Sequence, residues 1–156
     1  MIRRLGVFFA TFAYVGYAPV APGTFGSAAG LAVYYVVHRA GRPAVELGVI
    51  VGIFLLGIWS GTEAEHHFGG TDPGPVVIDE VMGMLITLAL LPVTFFGAIV
   101  GFFVFRVLDV IKPWPSGRLE SLPGGLGVMA DDGMAALYGN VIMQVLVRVA
   151  PHGWLT

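Results

Sequence analysis

The chain has 156 residues, 56% hydrophobic and 12% charged, with a net charge of −2 and a mean hydropathy of +0.85. A soluble domain carries about 25% charged residues, so half that share points to contact with a bilayer. The absence of cysteine excludes disulfides, thiolate metal sites and cysteine nucleophiles. The small net charge, with no basic stripe and no recognition motif, argues against nucleic acid as a partner.

The length suits one domain, residues 1–156. In chain order, the first apolar segment is Leu5–Val15, preceded by Arg3-Arg4. A basic start and an apolar run resemble a secretory signal, but Ala18-Pro19-Val20-Ala21-Pro22 is a poor cleavage site because of its prolines. Ala28–Val37 follows a glycine-rich stretch, Ala21-Pro22-Gly23-Thr24-Phe25-Gly26-Ser27, which reads as a flexible loop. Val45–Trp59 is third. Val81–Leu91 and Phe95–Leu108 are separated by Pro92-Val93-Thr94, and Met134–Val149 is last. None alternates as a strand does, and Gly/Pro breakers fall between them. The expected fold is all-α: a compact helical bundle, integral to a membrane, with some helices short or only partly inserted. A simple span needs about 20 apolar residues; Phe25–Val37 and Val45–Ser60 come near it if tilted.

A straight helix over Val81–Leu108 would place Glu80 and Asp109 on the order of 40 Å apart. Pro92 argues against this, because an interior proline removes a helix bond and clashes with the preceding turn. A helical hairpin around Pro92 returns both acids to one side, and Ile111–Ala130 can bring Asp131-Asp132 there too. Asp79, Glu80, Asp109, Asp131 and Asp132 then all sit at helix ends on one face. Arg3, Arg4, Arg106, Lys112 and Arg118 on that face favour the cytoplasm. Arg39 and Arg42 would lie on the other side, against the same tendency.

Each constellation has a bland reading and a chemical one. Asp79-Glu80 could cap a helix or ligate Mg²⁺, which prefers carboxylate oxygens; Gly83 would leave room beside the carboxylate. Asp131-Asp132 repeats the arrangement, yet a cap needs only one acid, and adjacent acids repel unless a cation is near. Arg106 and Asp109 share a helical face as an ion pair, and Lys112, next to Pro113, projects from the helix exit towards a possible phosphate. Thr24 or Ser27 could cap, or the free amides of that glycine loop could hold an anion. Leu122-Pro123-Gly124-Gly125-Leu126-Gly127 is a second glycine loop. Glu63, His66 and His67 lie at helical spacing but read as a solvated helix end. His38 and His152 have no partner pattern. Trp59 and Trp114 read as interfacial anchors.

Taken in order, PGTFGS, the V-x-DE-x-x-G-M of residues 77–84, FRxxDxxKPWP and GGLGVMADD resemble the phosphatidylglycerophosphatase A family, from about Ala21 to Tyr138. The resemblance implies an integral membrane, Mg²⁺-dependent phosphatase of the bacterial inner (cytoplasmic) membrane, which converts phosphatidylglycerophosphate to phosphatidylglycerol and phosphate. It maps the family's motif onto Pro22, Gly23, Thr24, Gly26, Ser27, Asp79, Glu80, Asp109, Lys112, Pro113, Asp131 and Asp132. The five acids are then expected as catalytic and metal residues with Lys112. Gly23, Thr24, Gly26, Ser27, Arg106 and Lys112 are expected on the substrate phosphate. The chain departs from the pattern at Ala135-Ala136 and at Leu122-Pro123.

Other phosphatase chemistries fit poorly. Ser116-Gly117-Arg118 has Arg118 where histidine-dependent lipid phosphatases carry His, and Asp131-Asp132-Gly133 lacks the D-x-D of aspartyl-phosphate enzymes. A metal-activated water remains. The rival reading is a small transporter or cation-binding scaffold with the acids on an ion path.

Overall fold

The computed structural model describes residues 2–151 and 153–156; His152 lies outside them. Among the described residues there are seven α-helices and no strand. They are α1 (Ile2–Ala10), α2 (Pro22–His38), α3 (Pro43–Phe68), α4 (Ile78–Leu88), α5 (Phe95–Ile111), α6 (Ser116–Leu119) and α7 (Gly125–Val149). The all-α expectation holds.

Helix starts follow local chemistry. Pro22 and Pro43 open α2 and α3, where a missing N–H costs nothing. Thr94 caps α5, its Oγ1 accepting from the Gly97 amide at 3.1 Å. The hairpin around Pro92 is present: α4 stops at Leu88, Leu90 takes a left-handed conformation, and α5 runs back.

Four boundaries differ from expectation. Helix α3 runs past Trp59 to Phe68, taking in the polar stretch with Glu63, His66 and His67. The first apolar segment leaves helix at Ala10, and Phe12, Ala13 and Tyr14 all have positive φ, because the chain must fold under the segment that leads into α4. The stretch Pro22–Ser27 is not a flexible loop but the first turns of α2. Its glycines are there for close approach: a Cβ at Gly26 or Gly30 would press on Val77, Val81 and Met84 of the α4 segment. Likewise α7 starts at Gly125, not near Met134, so Asp131 and Asp132 lie well inside a helix and are not caps. Gly125 is held against α3, its amide donating to Thr62 Oγ1 at 2.9 Å.

Tyr34, Met84, Leu88, Phe105, Ala136 and Met143 form the core between α2, α4, α5 and α7. Gly83 faces the Phe105 ring; the room it leaves is taken by that ring, not by a carboxylate. The buried C-terminal end of α4 needs partners for its carbonyls. Asn140 Nδ2 lies 3.0, 3.2 and 3.1 Å from the Ile86, Thr87 and Ala89 oxygens.

The bundle has two ends. One carries the start of α2, the start of α4 and the end of α5. The other carries the α2–α3 turn with Arg39 and Arg42, and the α4–α5 loop. Glu46 joins these two: it pairs with His38 at 2.8 Å and accepts from the Leu90 amide at 3.0 Å. Between the ends, the outside is apolar. Phe95, Phe103, Val107 and Val110 of α5, Leu137, Val141 and Val145 of α7, and Val51 and Leu55 of α3 are all exposed. One helix, α3, is long and apolar enough to cross a membrane.

Candidate active site

The approach to α4 is held from outside. The Val77 amide donates to Ala10 O at 2.9 Å, and Gly16 packs on the Pro75 carbonyl with no space for a Cβ. This anchors the first turn of α4, which carries Asp79 and Glu80. From α7, one helix away, Asp132 enters the same space. Oxygens of Asp79, Glu80 and Asp132 all lie within 4.8 Å of one another.

These three acids share an uncommon property. Asp79 Oδ1, Glu80 Oε2 and Asp132 Oδ2 are buried and have no hydrogen-bond partner, whereas buried polar atoms are almost always paired. Burial raises Asp79 well above the carboxylate range, reinforced by Glu80. Burial likewise pushes Glu80 up to about 8, with Asp132 and Asp109 adding to it while Arg106 opposes. Asp132 is raised by burial and by the charges of Asp79 and Asp109. Three converging carboxylates with free lone pairs fit a hard divalent cation, whose charge would remove both the repulsion and the unmet hydrogen bonding.

The other two predicted acids are held differently. Asp109, in the last turn of α5, pairs with Arg106 Nη1 at 2.6 Å and lies beside Asp132. Arg106 also lies 3.8 Å from Glu80 Oε1 and donates to Ser27 Oγ at 3.4 Å. Asp131 turns to Lys112, 2.5 Å from its Nζ, and its Oδ1 accepts from the Asp132 amide. Burial raises Asp131 on balance, although Lys112 opposes it. Lys112 ends α5 in a left-handed conformation, φ 47°, a position where glycine would carry no Cβ penalty. Its ammonium reaches both Asp131 and Glu120, the latter at 3.1 Å. Burial works against that charge, but the two acids outweigh it and raise Lys112.

Gly23 and Ser27 sit at the cluster: a Cβ at Gly23 would collide with Glu80 Oε1 and meet Arg106. Gly26 packs on Val77 and on the Cβ of Glu80, so it brings α2 against the stem of that acid rather than its carboxylate. Thr24 is exposed, outside this group of contacts. Glu63 packs against Gly6 of α1. With His66 and His67 it forms no metal-ligating group among the described residues.

Two residues of this region went unnoticed in the sequence. Glu120 neutralises Lys112. Asp72 takes φ 46°, and the charges of Lys112, Asp131 and Asp109 reach it; burial raises it. Neither carries a spacing signal, since Asp72 reads as one acid in the turn Thr71-Asp72-Pro73-Gly74.

A carboxylate cluster, a guanidinium and an ammonium thus lie together at one end of an apolar bundle, and comparison with known proteins places the chain among phosphatases. Residues 8–147 match the family model described as "PgpA: Phosphatidylglycerophosphatase A". The Escherichia coli phosphatidylglycerophosphatase A is 34% identical over 143 residues, 90% of this chain and 83% of that protein. The Haemophilus influenzae phosphatidylglycerophosphatase A is 33% identical over 125 residues, 79% and 77% of the two chains. A Bacteroides thetaiotaomicron protein, provisionally named a phosphatidylinositol-3-phosphatase, is 32% identical over 137 residues, 83% and 86%. No solved structure matches. The chain belongs to the phosphatidylglycerophosphatase A family.

Proposed function

We propose that this enzyme hydrolyses the phosphate monoester of phosphatidylglycerophosphate, giving phosphatidylglycerol and phosphate, at the surface of the bacterial inner membrane. The observation that carries the reading is the set of three unpartnered, buried carboxylate oxygens on Asp79, Glu80 and Asp132, beside Arg106 and Lys112. Family membership supports the substrate. The apolar outside of the bundle, and α3 in particular, supports immersion in a bilayer.

Asp79, Glu80 and Asp132 would hold Mg²⁺, with Asp109 at their edge; when bound, the ion supplies an activated water and neutralises phosphate charge. The chain's own groups do the rest. Arg106, aimed by Asp109 and Ser27, faces the phosphate with a planar fork suited to its oxygens. Lys112, positioned by Asp131 and Glu120, adds a point charge where negative charge builds in the transition state. Gly23 keeps α2 close enough for the phosphate to approach Glu80 and Arg106 together. Asp131 acts through Lys112 in this arrangement, joining the ion only if Lys112 moves to the phosphate. The end bearing Arg3, Arg4, Arg106, Lys112 and Arg118 is assigned to the cytoplasm, while Arg39 and Arg42 at the other end oppose that assignment.

The test is phosphate release from phosphatidylglycerophosphate in mixed micelles, with Mg²⁺ and with EDTA. Release that requires Mg²⁺ is expected. None under either condition, from folded protein, would overturn the reading in favour of a transporter or scaffold. The name of the Bacteroides relative makes phosphatidylinositol 3-phosphate the competing substrate to run alongside, and preference for it would reassign the head group.

A further inference from the structure

A groove of about 840 Å³ runs along the bundle between α3, α4 and α7, within the ~300–1,000 Å³ range of small-molecule sites. Its walls are apolar, including Ile50 and Phe54 of α3, Met82 and Ile86 of α4, and Met134 and Leu137 of α7. Its upper end reaches Leu119, Ala130 and Gly133, which flank Glu120, Asp131 and Asp132 in the chain. On α4, Asp79, Met82 and Ile86 follow one stripe at i, i+3 and i+7, so Asp79 lies on the side of α4 that lines the groove, one turn beyond its Met82 end. From Ala130 to Gln144 it extends about 21 Å at ~1.5 Å per residue, more than the ~15 Å hydrocarbon depth of one leaflet.

We propose that this groove holds one acyl chain of the lipid whose phosphate lies at the acid cluster. The inference rests on the lipid-phosphatase reading above. A chain seated here fixes the head group laterally, so the phosphate meets Arg106 and Lys112 in one orientation. Gly133 lines the cluster end of the groove, next to Asp132 in the chain, and a Cβ there would meet Met82 Cε at 3.4 Å. The position of its end beside the cluster favours a lipid over a second copy of this chain as the occupant, since one lipid then uses both the acids and the groove.

The test uses Leu137→Trp, which fills the groove at mid-length from a half-exposed position, and Leu137→Phe as a milder version. Phe103→Trp, on the outer face of α5, is the control. Retention of dipalmitoyl phosphatidylglycerol is measured by native mass spectrometry. KM is measured for dipalmitoyl and for dihexanoyl phosphatidylglycerophosphate. Expected for the Leu137 variants are about tenfold weaker retention and about tenfold higher KM for the long-chain substrate, with the short-chain KM within twofold of wild type. Wild-type retention in both Leu137 variants, or an equal loss for the two substrates, overturns the proposal. So does a detergent-solubilised dimer that Leu137→Trp dissociates. If wild-type protein releases no phosphate from either substrate, the phosphatase reading fails, and retention alone judges whether the groove is a lipid site.

Discussion

Asp132→Asn tests the charge cluster most directly, because its two effects have opposite signs. Two full carboxylate charges within 4.8 Å of each other repel by at least about 3.5 kcal/mol at an effective dielectric of ~20. The metal-free cluster reduces this by holding protons, as the raised Asp79, Glu80 and Asp132 indicate. Neutralising Asp132 removes much of the cost without changing side-chain volume. For a chain of this size 1 kcal/mol moves Tm by roughly 2–4 °C. In EDTA at pH 8 the variant is therefore expected to melt a few degrees above wild type, and no lower. With Mg²⁺ added, wild type should rise by several degrees and the variant by far less, because one of three ligands is gone. Turnover should fall at least about 10³-fold, the scale of losing a principal electrostatic group. The assay is thermal unfolding in detergent, both proteins, with EDTA and with Mg²⁺. A variant that melts well below wild type in EDTA, or a wild type unmoved by Mg²⁺, would refute the argument that these oxygens are unpartnered because a cation belongs there.

Further predictions follow from the same geometry. In EDTA, wild-type stability should fall as pH rises from about 4.5 to about 8: Glu80 is ionised in the unfolded chain above its ordinary 4.5 but keeps its proton in the folded chain up to about 8, so the folded state binds more protons across that window. Tm measured at pH 5.5 and pH 8 checks this, and a higher Tm at pH 8 would contradict it. Lys112→Ala should lower kcat by about 10²-fold or more, whereas Glu120→Gln should cost much less because Asp131 still holds the ammonium; similar losses in steady-state assays would undo the assignment of Lys112. Gly83→Ala should destabilise by about 1–3 kcal/mol by driving a methyl into Phe105, read by denaturant unfolding. Asn140→Ala should cost about 1–3 kcal/mol by taking the side-chain donor from the Thr87 and Ala89 carbonyls; an unchanged midpoint would mean that other groups satisfy them.

Much of this protein is legible in its residues alone. The apolar content and the Gly/Pro punctuation imply helices, and Pro92 implies the hairpin, because one residue's missing N–H and ring clash act locally. Arg106 and Asp109 fall on one face for the same reason: helical spacing is a short-range rule. Paired acids in a chain so poor in charge also mark the chemistry.

What the tertiary structure decides is which acids share a space. Five carboxylates look equivalent in the sequence. Packing of α2, α4, α5 and α7 sends Asp79, Glu80 and Asp132 together, gives Asp109 to Arg106 and turns Asp131 to Lys112. That division depends on side-chain direction across helix contacts, which no spacing along one helix encodes. The same holds for PGTFGS, which reads as a loop because glycine favours turns, yet is helical because α4 needs a surface without side chains. Asp72 and Glu120 reach the site only through the path of the chain in three dimensions, and the groove beside the acids likewise arises only from packing. Local preference governs the elements; the proximity of distant residues is a property of the packed bundle.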